Sequence, residues 1–169
     1  MSFIKPVVLG LMAITAELIC QPAHAQEEGF PAPSPELIVW SARACYAEAT
    51  WSTADCSALL HVIRKRATRF NWPFLKMLKQ YSVVNWLRGS RGKQTGALTL
   101  EGSKRQSETW NQNWQQLVSH VMAVFADSVS DPCPRADHWA AAYYVPRSPM
   151  RRVRCTQKVA NAFWVSVGG

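Results

Sequence analysis

A mainly helical α+β domain with a small β or irregular C-terminal portion is the fold class that this chain of 169 residues predicts. Apolar residues recur at helical spacing in four stretches before residue 131, the period of a half-buried helix. Three of those stretches open on a hydroxyl-bearing cap. The two runs of strand character, Tyr143-Tyr144-Val145 and Phe163-Trp164-Val165, both come later.

The first segment sets the compartment. Lys5 gives a positive start, and Val7 to Ile19 is an apolar run broken only by Gly10, Thr15 and Glu17. Ala23-His24-Ala25 then supplies a small-x-small cleavage pattern, so residues 1–25 read as a signal peptide with the mature start at Gln26. A membrane anchor needs roughly 20 apolar residues, more than this run offers. Cys20 lacks the small residues that precede a lipoprotein cysteine. Residues 26–35 are Pro-rich and read as a disordered lead-in, which leaves 36–169 as a single domain.

In that domain Ser34-Pro35-Glu36 is a helix start, with Ser34 as cap and Pro35 at the first helical position. Leu37, Ser41, Ala44, Cys45 and Glu48 share one face, small or apolar until it ends in a carboxylate. Ser52 or Thr53 caps a second helix with Leu59, Leu60, Val62 and Ile63 inward and Arg64-Lys65-Arg66 as a solvated basic end. A short third helix starts at Trp72-Pro73, and a loop is expected from Arg88 to Gly102. Ser107 caps a long helix with the stripe Trp110, Trp114, Leu117, Val121 and Phe125, which Asp131-Pro132-Cys133-Pro134 stops.

Signal cleavage removes Cys20 and leaves Cys45, Cys56, Cys133 and Cys155. An even set in an exported chain reads as disulfides rather than metal ligands. Three pairings are possible; proximity favours Cys45–Cys56 and Cys133–Cys155. The formal charge of +8 attracts polyanions. Outside the cytoplasm these are wall polymers, anionic lipid head groups and nucleic acid. Little basic-aromatic interleaving of the single-strand-binding kind is present, and no basic amphipathic helix. A nucleic-acid partner and stable membrane insertion are therefore not expected.

Phosphate loops, paired His on a helix and a nucleophile elbow are all missing, so no cofactor and no metal are expected. Carboxylate chemistry is left. Glu48 closes the inward face of its helix with Tyr46 and Trp51 nearby. Apolar and aromatic surroundings disfavour the charged form of a carboxyl, which suits it to protonate a glycosidic oxygen. A helix-terminal or Arg-paired Glu would read the same way from spacing alone.

Tyr46-Ala47-Glu48-Ala49 resembles the Tyr-Gly-Glu-Ala motif of the cell-wall hydrolases typified by spore-cortex-lytic enzymes. Gln80-Tyr81-Ser82 is similar to that family's Gln-Phe-Ser. Ala141-Ala142-Tyr143-Tyr144-Val145-Pro146 resembles its Ala-Leu-Tyr-Tyr segment, and Asn161-Ala162-Phe163-Trp164 its closing Asn-x-x-Phe-Tyr. The four stand in the family's order and cover most of 37–165. The resemblance implies a lysozyme-like domain that cleaves peptidoglycan glycan strands, as a lytic transglycosylase or muramidase, with Glu48 as general acid/base. It implies a saccharide groove at Ser52, Tyr81, Ser82, Tyr143 and Tyr144. Ser52 stands where members often carry a second Glu, and this departure favours transglycosylation. Asp55 and Asp137 are alternative second carboxylates, each also readable as a helix-start or turn residue. Arg151 and Arg152, with Arg147, Arg154 and Lys158, would give the groove a cationic rim. The expected protein is a periplasmic or secreted monomer whose partner is peptidoglycan; the alternative is a non-catalytic wall-binding or inhibitor protein of the same fold.

Overall fold

A computed structural model describes residues 29–81, 99–140, 143, 145–146 and 149–167. Residues 1–25, expected to be a signal peptide, residues 26–28 of the expected lead-in, most of the expected 88–102 loop, Ser82, Tyr144 and Arg147 lie outside the described residues. Among the described residues there are four helices and three strands: α1 (Pro35–Ala49), α2 (Thr53–Phe70), α3 (Phe74–Tyr81), α4 (Glu108–Phe125), β1 (His138–Ala140), β2 (Met150–Arg152) and β3 (Ala162–Ser166). No helix among the described residues is long and apolar enough to cross a membrane.

The helices begin where their caps place them. Ser34, Ser52 and Ser107 each accept from the amide three residues on, at 3.2, 3.3 and 3.2 Å, which satisfies one of the orphan donors of each first turn. Their inward faces meet in one core. Leu37 and Ile38 of α1, Leu59, Leu60 and Ile63 of α2, Met77 and Leu78 of α3, and Trp114, Leu117, Val121 and Val124 of α4 are all buried in it. Burying a Leu or Ile side chain stabilises by roughly 1.5–3 kcal/mol. Phe30, inside the stretch expected to be a disordered lead-in, packs its ring 4.9 Å from Phe125 and 5.8 Å from Phe74. An aromatic side chain next to an open edge of the core overrides the Pro-rich composition around it.

The strands form one antiparallel sheet in the order β1-β3-β2. Trp139 pairs with Phe163, and Arg152 with Trp164. Phe163 drives into a second cluster with Ala58, Val62, Cys133 and Ala136, so the sheet covers a face of α2 that the helices leave. The first strand falls at His138–Ala140 rather than at Tyr143-Tyr144-Val145. Tyr143 is 91% exposed and Val145 79%. Both lie in the connection between β1 and β2, and apolar character there answers to no buried face. Helix α4 also ends earlier than its Pro-rich stop. Asp127 adopts φ 51° and Ser128 N–H donates back to Ala123 O at 2.9 Å, a left-handed C-terminal cap that closes the helix at Phe125.

Two disulfides join Cys45 to Cys56 and Cys133 to Cys155, across sequence separations of 11 and 22. The first ties α1 to α2. The basic end of α2 is not a solvated face. Lys65 Nζ donates to Asp131 Oδ2 at 2.6 Å and to the carbonyls of Pro134 and Ala136 at 2.8 and 3.1 Å. Arg64 meets Asp127 and Arg66 donates to Asp137 O, each at 3.3 Å. The run clamps the segment after α4, whose carbonyls need donors.

Two histidines make the fold acid-sensitive. Burial pulls the His61 imidazole below its ordinary value; Asp131 opposes this and Arg64 reinforces it. Burial does the same to His120, partly offset by the Thr53 backbone. A folded-state value below the unfolded one means that the fold prefers neutral imidazole. The stability this provides is complete above the unfolded value of about 6.5 and is lost as pH falls through the folded values. The Asp137 carboxyl is pushed up by burial, but hydrogen bonds from His138 and Ser166 outweigh that and hold it low. It adds a second loss below about pH 3.9. Melting temperatures should therefore be level from pH 8 to 7 and fall progressively below about 6.5. A midpoint that rises on acidification over that range would contradict the assignment.

Candidate active site

Glu48 sits one residue before the end of α1, half-buried, at the point where the chain turns into α2. The turn is short. Thr50 takes φ 54° and its N–H donates to Tyr46 O, after which Ser52 caps α2. The Cys45–Cys56 bridge fixes the two helices on either side of it.

A cluster of rings stands over this turn. Tyr46 and Trp51 lie 4.7 Å apart, Trp110 of α4 is 5.6 Å from each, and Trp110 stacks on the buried Trp114 at 5.7 Å. The Trp110 indole N–H donates to the Tyr46 hydroxyl at 3.4 Å. Tyr46, Trp51 and Trp110 remain half-buried. Rings that are apolar on their faces and polar at one tip suit the mixed surface of a sugar. Tyr46 and Trp51 are legible in the sequence as neighbours of Glu48, whereas Trp110 reads as the first member of the α4 core stripe, and its position one turn inside the Ser107 cap is the only hint that it stays accessible.

Another contact of the turn comes from far along the chain. Asn161 Nδ2 donates to the Glu48 carbonyl at 2.9 Å. Its backbone N–H donates to Asp55 Oδ1 at 2.8 Å, while Ala160 N–H lies 2.9 Å from Asp55 Oδ2. The Ser52 hydroxyl completes the set, 2.6 Å from Asp55 Oδ2. Asp55 is 1% exposed. Both of its oxygens are occupied by donors that hold the loop before β3 against the start of α2, so its part is that of a tie. Ser52, expected in the saccharide groove, uses its hydroxyl as cap and as donor to Asp55. Asp137 likewise accepts from Ser166 N–H at 3.1 Å and lies 2.6 Å from His138 Nδ1.

Asn161 also lines a groove of about 470 Å³ with Arg152, Arg154, Gln157, Lys158 and Phe163. Arg152 belongs to it; Arg151, one residue earlier on a strand whose side chains alternate, does not line it. Tyr143 projects from the β1–β2 connection. Tyr81 ends α3, and Lys79 in the same turn contacts Glu36 at 3.2 Å and the Trp40 ring at 4.6 Å. Those partners belong to the first half of α1, and at 1.5 Å per residue Glu36 is about 18 Å along the helix from Glu48. The structure thus brings together Glu48, Ser52 and Asn161 around Asp55, and Arg152 shares the groove that Asn161 lines. The end of α3 lies toward the opposite end of α1.

Residue 48 is half-buried at the α1–α2 turn, beside the ring-bearing residues Tyr46 and Trp51 and held through its carbonyl by Asn161. Among the described residues no three His, Cys, Asp or Glu side chains are grouped to hold a metal. No protein-family profile matches this chain, and no curated protein or solved structure matches it.

Proposed function

We propose that this is an exported, lysozyme-like enzyme that cleaves the glycan strand of peptidoglycan between N-acetylmuramic acid and N-acetylglucosamine, with Glu48 as its acid/base. One observation carries the reading: Asn161, which opens the last of the four family-like motifs, donates to the carbonyl of Glu48, the centre of the first. Motifs 113 residues apart in sequence meet at the backbone of the one residue to which the resemblance assigns catalysis. The ring cluster of Tyr46, Trp51 and Trp110 supports a saccharide substrate. Two disulfides support an oxidising compartment.

Asp55, the next carboxylate along the chain, is engaged by backbone amides. This favours lytic transglycosylation over hydrolysis. Glu48 protonates the glycosidic oxygen and the bond from muramic C1 breaks. The C6 hydroxyl of the same sugar then attacks C1 and returns its proton to the Glu48 carboxylate, so no activated water is required. Mass spectrometry of a wall digest tests this: anhydro-muramyl ends are expected. Reducing ends would mean hydrolysis, and intact glycan under conditions where the protein sediments with the wall would mean a binding protein.

A further inference from the structure

The groove beside Asn161 holds three cations, Arg152, Arg154 and Lys158, and no carboxylate. Among the described residues none of the three forms an ion pair with an acid. Most other cations of the protein with a defined partner are arranged differently: Arg64, Lys65, Arg69 and Lys79 each meet an Asp or Glu. Like charges gathered without a counter-charge repel one another and attract an anion.

The groove is also held rigidly. Val153 N–H donates to Phe163 O at 2.8 Å, Cys155 is bridged to Cys133, and Thr156 N–H donates to Pro132 O at 2.7 Å. Ala160 and Asn161 are fixed to Asp55. Five attachments within nine residues leave little loop ordering to accompany binding, which is how a preorganised site gains affinity. The guanidinium groups supply planar donor pairs that match a carboxylate, and Gln157 adds an amide for a peptide group. A volume of about 470 Å³ exceeds a single small ion and accommodates a short peptide.

We propose that this groove binds the carboxylate-bearing peptide carried on the lactyl group of muramic acid, so that the protein selects peptide-substituted strands over stripped ones. The proposal rests on the wall-glycan reading, which places a muramic acid at Glu48. Asn161 touches both the Glu48 carbonyl and the groove, so the groove opens beside the α1–α2 turn from which a peptide on a sugar at Glu48 would branch.

The test uses the full mature protein and soluble stem peptide with free carboxylates, followed by NMR shifts. Saturable shifts over residues 152–161 are expected. The same peptide with every carboxylate amidated should bind about tenfold more weakly, as should the free peptide to an R154A/K158A variant. Both side chains are exposed, so the variant should fold. Equal binding of free and amidated peptide, wild-type binding by the variant, or displacement by inorganic phosphate as effective as by peptide would each overturn the proposal. A second arm compares cleavage of intact and amidase-stripped strands. The preference for intact strands should collapse in R154A/K158A, and its persistence would also overturn the assignment. The peptide arm does not use Glu48, so failure of cleavage and failure of the groove are separately visible.

Discussion

Replacement of Glu48 by Gln is expected to lower clearing of purified peptidoglycan by about 10²- to 10⁴-fold, the range that a positioned acid/base contributes. Sedimentation with the wall and the melting temperature should stay at wild-type values. The amide is isosteric, and the Asn161 bond is to the backbone carbonyl of residue 48, which the substitution leaves in place. What the variant lacks is a proton to give to the leaving oxygen and a carboxylate to take one back. Turbidity loss and pelleting, measured on the same samples, separate the two functions. A Gln variant that clears wall as fast as wild type would end the catalytic assignment.

Replacement of Asp55 by Ala should instead act on the fold. It removes the acceptor of Ala160 N–H, Asn161 N–H and the Ser52 hydroxyl together. Hydrogen bonds to a charged group are worth about 1.5–3 kcal/mol each, and because these share one carboxylate a total of about 3–5 kcal/mol is expected. A domain stable by roughly 5–15 kcal/mol loses a large fraction of its reserve. Urea denaturation measures it. Asp55→Asn keeps one oxygen acceptor and should lose about half as much. If Asp55 were a catalytic base, the Asn variant would show wild-type stability and no turnover. That outcome would overturn its assignment as a tie.

These two carboxylates show where the sequence was legible. Ser34, Ser52 and Ser107 are recognisable as caps because a cap and its amide lie three residues apart, and the α4 stripe is recognisable because its period is local. Glu48 stood out because an inward helix face ends on it. The role of Asp55 depends on residues 105 and 106 positions away, and local pattern carries no trace of such a partner. Lys65 is similar: its neighbours in sequence suggest a solvated face, while its acceptors lie 66 to 71 residues on. The misplaced first strand has a different origin. Tyr143 and Val145 have strand propensity, yet propensity reports fit to a half-buried pleat, and the pleat that meets Phe163 is built from His138 to Ala140.

Lys65 also bears on the order in which the molecule assembles. The α1–α2 hairpin, with a bridge spanning 11 residues, needs little chain entropy to close. Bringing Asn161 back to it directly would close a loop of more than 100 residues, the kind of non-local step that slows folding. The contacts of Lys65 with Asp131, Pro134 and Ala136 and the Cys133–Cys155 bridge divide that span into two shorter closures and leave Cys155 and Asn161 only six positions apart. By loop length, the contact of Asn161 with the Glu48 carbonyl is expected to form last, so pulse-labelled hydrogen exchange should protect the amides of α1 and α2 before those of Ala160 and Asn161.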